Sequence, residues 1–233
     1  MSIAENVAAV RAQLDAAAKA AGRDPKDIKL CAATKMNDTA AIQEAIKAGI
    51  SLCGENRVQE LTKKLSENAY QGAEIHFIGR LQTNKVRQVV GKVALIQSVD
   101  RMKLLLAIQA EAARQNLVQD ILLEVNIGNE ESKGGFSPAE LPSILEKMEE
   151  FPNLWVKGLM AIPPISQNSG DNVKFFQEMC NLSVDITTKK GDNVSMEILS
   201  MGMSDDFADA ISCGSTMVRI GTAIFGPRNY SNP

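Results

Sequence analysis

Eight short apolar runs, several rich in β-branched residues, alternate with longer helical patterns through this 233-residue chain. They cover residues 28–33, 50–53, 75–78, 93–97, 120–126, 154–161, 194–199 and 216–220. Alternation of this kind specifies a parallel sheet, because parallel neighbours need a crossover connection that a helix supplies. Eight such units close a (β/α)8 barrel. The expected fold is therefore α/β, a single TIM barrel occupying residues 1–233 as one domain. A doubly wound open sheet is the competing topology, and the short fourth run is the weakest element.

An extra helix precedes the barrel. Over residues 3–21, Ile3, Val7, Val10 and Leu14 share one helical face, and Gly22 with Asp24-Pro25 stops the helix. Residues 39–48 and 101–115 read as crossover helices. Gly49 suits the C′ position of the first, and Met102, Leu105, Leu106 and Gln109 mark one side of the second. The 163–170 stretch reads as one long βα loop.

Composition agrees with a layered aliphatic core: 45% of residues are hydrophobic and only 4% aromatic. A formal net charge of −3 lacks the clustered basic footprint that a nucleic-acid backbone demands, so no nucleic-acid partner is expected. No run reaches the ~18 apolar residues of a membrane span, and the opening residues lack the apolar core of a signal peptide. A soluble cytoplasmic protein without a membrane partner is the expectation. Cys31, Cys53, Cys180 and Cys213 show no CxxC spacing and read as reduced thiols, the first two buried in strands. With His76 as the single histidine, a Cys/His metal site is not expected.

In a parallel barrel the C-terminal strand ends converge on one mouth, so those ends are where chemistry gathers. Lys35 closes what reads as the first strand, and Arg219-Ile220-Gly221-Thr222 stands at the end of the last. First and last strands are neighbours in a closed barrel. A lysine there has one strong use, forming an imine with a carbonyl compound, against the ordinary fate of a surface loop lysine. Strand ends seven and eight often build a phosphate site. Gly202 and Gly221 permit close backbone approach to an anion, and Ser204 before Asp205-Asp206-Phe207 reads as a helix N-cap able to bind phosphate.

Arg219, buried in or at the end of strand eight, needs an acceptor, for which Glu55 and Asp100 are the structural candidates. Asn56 and Asn126 either bond a cofactor hydroxyl or tie loops together. His76, at the far end of strand three, reads as a satisfied structural histidine. Lys133, in Ser132-Lys133-Gly134-Gly135, reads as a loop lysine within reach of an anion, Trp155 as packing, and residues 146–150 as a solvated helix face.

Seven ordered motifs resemble the pyridoxal phosphate homeostasis protein family. They are Ala33-Thr34-Lys35, residues 54–60, residues 76–85, Val125-Asn126-Ile127 with Lys133-Gly134, residues 158–163, residues 199–204 and Arg219-Ile220-Gly221-Thr222. Such chains are similar to the N-terminal barrel of alanine racemase. The resemblance implies that Lys35 carries pyridoxal 5′-phosphate as a Schiff base, with Ser204, Gly221 and Thr222 around the phosphate. It also implies Arg219 at the pyridine nitrogen and Asn56 lining the pocket. Many relatives carry a second lysine two places after the Schiff-base position, where this chain has Asn37, while Lys133 matches another family lysine.

The implied function is cofactor binding, buffering or delivery in vitamin B6 homeostasis without catalysis, by a monomer making transient contact with apo-enzymes. A pyridoxal phosphate-dependent racemase is the alternative. Two-way racemisation needs a proton donor on each face, and neither Tyr70 nor Tyr230 is well placed for that task. A cofactor without a covering second domain also suits exchange better than carbanion chemistry. A guanidinium, which only donates, leaves a pyridine nitrogen unprotonated and the electron sink weak. A cofactor-free Schiff-base aldolase explains Lys35 and the phosphate turn but not the full motif set.

Overall fold

The computed structural model describes residues 1–130, 133–164, 168, 170–187 and 191–227. Its frame is a closed, all-parallel barrel in sequential strand order: β1 (Lys29–Ala33), β2 (Leu52–Glu55), β3 (Glu74–Phe77), β4 (Leu95–Val99), β5 (Gln119–Val125), β6 (Leu154–Ala161), β7 (Val194–Ser200) and β8 (Met217–Ile220). Closure rules out the open-sheet alternative. Strand six matches the sequence reading, whereas β2 and β4 each sit two residues later than expected. The shift brings Glu55 and Val99 into the sheet.

Helix α1 (Ile3–Ala20) starts with a capping box, in which Ser2 Oγ accepts from the Glu5 amide and Glu5 Oε2 accepts from the Ser2 amide. Its apolar face buries Val7, Val10, Leu14 and Ala18, and Gly22 ends it at φ 68°. The crossover helices are α2 (Thr39–Lys47), α3 (Val58–Ser66), α4 (Met102–Arg114), α5 (Leu141–Glu146), α6 (Val173–Thr187) and α7 (Phe207–Ser212), and α8 (Thr222–Phe225) follows the last strand. Between β3 and β4 the connection is a 3-10 segment, Thr83–Gln88, in place of an α-helix. Helix α1 packs on α2, α7 and α8. Asn6 donates to the Ile224 carbonyl at 2.9 Å, so the first helix clamps the seam where β1 meets β8.

Side chains alternate across each strand. In β8, Val218 and Ile220 join the large core between sheet and helices, which leaves Met217 and Arg219 facing the barrel axis. Inside, Cys31, Leu52 and Met217 pack with Ile78 and Ile198, while Leu95, Leu122 and Met160 form a second group. Cys31 and Cys53 are buried as expected, and burial pushes both thiols up to about 12, leaving them unreactive.

Three expectations are corrected. The buried face of α4 is Leu104, Leu105, Ile108 and Ala112, and Leu106 is 54% exposed. Trp155 is partly exposed rather than packed, with Lys157 Nζ 4.6 Å from its ring centroid. Within residues 146–150, Met148 is fully buried beneath the charged positions. Part of the 163–170 loop, together with Ser132 and Tyr230, lies outside the described residues.

Candidate functional site

The strand ends enclose a cavity of about 670 Å³, lined among others by Lys35, Asn56, Ser204, Arg219, Gly221 and Thr222. All six residues that the family resemblance assigns to the cofactor meet there. Gly202, Asn126 and Lys133 are not in its wall.

Lys35 stands two residues beyond β1, in a turn rather than in the strand. That turn is tightly held. Asn37 Nδ2 donates to the Lys35 carbonyl at 3.0 Å, and Met36, in the left-handed region at φ 61°, donates its amide to Glu60 Oε2 at 2.7 Å. Beneath it lies Glu55, fully buried at the end of β2. Glu55 accepts from Lys64 Nζ at 2.6 Å, Tyr70 Oη at 3.1 Å and the Asn56 amide at 2.8 Å. Lys64 Nζ also donates to the Thr34 carbonyl at 2.9 Å, tying this ion pair to the residue before Lys35.

Arg219 therefore pairs with neither Glu55 nor Asp100. Its Nη1 donates to the Ser200 carbonyl at 2.8 Å and Ser200 Oγ at 2.6 Å, and its Nη2 to the Ala161 carbonyl at 2.9 Å. The register explains the choice, since Arg219 faces inward from β8 beside β7. Ser200 Oγ in turn donates to Gln97 Oε1 at 2.7 Å. Gln97 Nε2 then lies 2.8 Å from His76 Nδ1, and His76 Nε2 lies 2.6 Å from Glu74 Oε1. Every donor in this chain points away from Arg219, which assigns His76 the neutral Nε2–H tautomer. Burial lowers the His76 pKa and reinforces that state. His76 is structural, as expected, but its bonds reach the cavity floor through two intermediates.

Ser204 lies in a turn and does not cap a helix. Asp206 occupies the N-cap of α7, and its Oδ1 accepts from the Met203 amide at 2.7 Å. Gly202 serves packing instead of anion approach: at φ 92°, an added Cβ would lie 2.6 Å from Ala210 Cβ. Gly221 precedes α8, and a Cβ there would press on the Ala33 carbonyl at 3.3 Å across the seam. Asn126 ties a loop, its Nδ2 donating to the Glu130 carbonyl at 3.0 Å. Lys133 is anchored to Glu130 Oε1 at 2.6 Å and the Pro163 carbonyl at 3.2 Å.

Glu124, which sequence reading missed, also lines the cavity. Burial, followed by the nearby Asp100 charge, raises its pKa to about 7. Its signal was the two-residue period of β5, which points Leu122 and Glu124 to the same side. Asn56 Oδ1 is buried and has no hydrogen-bond partner among the described residues. Such an acceptor normally finds a donor, so a ligand hydroxyl or N–H would complete the site.

Among the described residues no group of His, Cys, Asp and Glu could hold a metal ion, and no helix is long and apolar enough to cross a membrane.

The alanine racemase N-terminal domain model matches residues 6–229. A pyridoxal phosphate homeostasis protein of Aquifex aeolicus is 44% identical over 230 residues, covering 99% of this chain and 100% of its own. One from Pseudomonas aeruginosa is 40% identical over 232 residues, covering 100% of this chain and 98% of its own. The solved structure of PipY from Synechococcus elongatus, with PLP bound, is similar at TM-score 0.83 and 29% identity, covering 97% of this chain and 100% of that one.

Proposed function

We propose a role for this chain from one premise: it belongs to the alanine racemase N-terminal domain family and, within it, to the pyridoxal phosphate homeostasis proteins. The chain binds pyridoxal 5′-phosphate and buffers or delivers it as part of vitamin B6 homeostasis. The observation that carries this reading is the convergence of Lys35, from the turn after β1, with Arg219, Gly221 and Thr222 from the end of β8 on one cavity.

The residues suit the cofactor chemically. Bound pyridoxal phosphate supplies an aldehyde that condenses with an amine, losing water and gaining a visible absorption band. Lys35 would provide that amine, from a turn whose preceding residue, Thr34, is tied through its carbonyl to the Glu55–Lys64 pair. Ser204 and Thr222 offer hydroxyls to the phosphate, and Gly221 keeps the seam open to it. Arg219 presents donors only, so a ring nitrogen set beside it would accept a hydrogen bond and stay unprotonated. Asn56 Oδ1 is free to accept from a ligand donor.

Binding without turnover fits the same residues. Tyr70, a candidate proton donor, spends its hydroxyl on Glu55 below the mouth. A ring that Arg219 leaves weakly activated favours holding and releasing the cofactor over carbanion chemistry. The reading extends to a cytoplasmic, single-domain monomer that meets apo-enzymes transiently.

Purified protein incubated with pyridoxal phosphate is expected to gain a visible band that borohydride bleaches and that Lys35→Ala lacks. An unchanged spectrum in the native chain would reject the reading. Racemisation of either alanine enantiomer, lost in Lys35→Ala, would reject the non-catalytic half of it.

A further inference from the structure

A second cleft, of about 620 Å³, adjoins the first at the mouth, and Asn56 and Arg80 stand in both walls. It lies between the loops after β2, β3 and β4. Among the described residues four cations line it, Arg57, Arg80, Lys85 and Arg101, and no carboxylate does. This is notable in a chain whose formal net charge is −3.

Two of the four cations are already engaged. Arg101 is bonded to Asp100 and donates to the Leu81 carbonyl at 3.1 Å, and Arg57 lies 3.9 Å from Glu60. The side chains of Arg80 and Lys85 have no hydrogen-bond or ion-pair partner among the described residues. Arg80 feels the Glu124 carboxyl in the wall of the first cavity, whereas Lys85 meets no carboxylate in the cleft wall, so an anion bound there would answer Lys85 and join the two cations. The remaining wall is made of amide and hydroxyl side chains such as Gln59, Gln82 and Asn84, with Val58 as its sole aliphatic residue and no aromatic ring.

We infer that this cleft is a second ligand site, for a small phosphorylated metabolite that binds beside the first cavity. The absence of a ring to stack on disfavours a nucleobase, and the polar wall disfavours an acyl chain. Arg80 and Lys85 match a phosphate group, and the amide side chains match a hydroxylated remainder. The volume is that of a small-molecule site. This inference goes beyond the cofactor reading and does not depend on it.

The test is calorimetric titration of the full chain with inorganic phosphate, repeated with succinate as a dicarboxylate probe. Native protein, Lys85→Gln, Arg57→Gln and Ser204→Ala are compared, each checked for folding by circular dichroism. Expected is saturable phosphate binding that Lys85→Gln weakens about tenfold or more, that Ser204→Ala leaves standing, and that succinate does not reproduce. Three results would overturn it: no saturable phosphate binding, binding lost in Ser204→Ala but kept in Lys85→Gln, or succinate binding as tightly as phosphate. The pyridoxal phosphate spectrum of the same Lys85→Gln sample reads the first cavity separately. A colourless native protein that still binds phosphate through Lys85 would overturn the cofactor reading and leave this one intact.

Discussion

Glu55 is a carboxylate taken fully out of water, and Lys64, almost as buried, is the cation that makes its burial tolerable. Removing one partner of such a pair leaves an uncompensated charge and costs about 3–5 kcal/mol. Lys64→Met is therefore expected to lower the free energy of unfolding by that amount in urea titration; an unchanged midpoint and slope would show that the pair holds nothing together. Glu124 presents the opposite case. Burial, and after it the Asp100 charge, raises its pKa in the folded chain to about 7 from an ordinary 4.5. The folded state thus holds this proton more tightly than the unfolded one. Its stabilising effect is complete below about 4.5 and is lost as pH rises through about 7. Thermal unfolding at pH 5 and pH 8 is expected to show a smaller pH-dependent drop in Glu124→Gln than in the native chain. Equal drops would mean that Glu124 does not titrate in this range.

Strand β6 passes β7 through an irregular register between Val156 and Gly158. Gly158 makes this possible: its φ is 150°, and an added Cβ would stand 1.8 Å from the Ile198 carbonyl oxygen. Gly158→Ala must part the two strands at that point. A loss of about 3 kcal/mol or more, or failure to fold, is expected from backbone displacement on this scale; native-like unfolding would contradict the register described. These features mark where sequence reading stops. Alternating runs announced all eight strands, because hydrophobic periodicity is local, but a glycine inside a strand does not say which neighbour it admits. In α4, the consecutive Leu104, Leu105 and Leu106 satisfy two helical faces equally, and only packing on the sheet selected the first two. Ser204 looked like a cap because Asp205 and Asp206 follow it, and the structure gave that place to Asp206. The path from Arg219 to His76 was unreadable for another reason. Its links join positions 103 and 21 residues apart, so they exist only once strand register is fixed.

The barrel as a whole turns two distant segments into neighbours. Cys31 is in register with Arg219, and Ala32 with Ile220, so the turn carrying Lys35 and the turn carrying Gly221 leave the sheet side by side. This much was legible, since eight strands imply closure and closure implies that first meets last. Helix α1 and its bond to α8 hold that seam from outside. The mouth it closes contains both the cavity lined by Lys35 and the cationic cleft, which share Asn56 and Arg80. We propose Lys35, in the wall of the first cavity, as the point of covalent attachment. Its most direct test is borohydride reduction of the protein loaded with pyridoxal phosphate, followed by proteolysis and mass-spectrometric mapping of the labelled residue. The phosphopyridoxyl group is expected on Lys35 at near-stoichiometric yield. Its recovery on another lysine, with Lys35 unlabelled, would contradict the site described here.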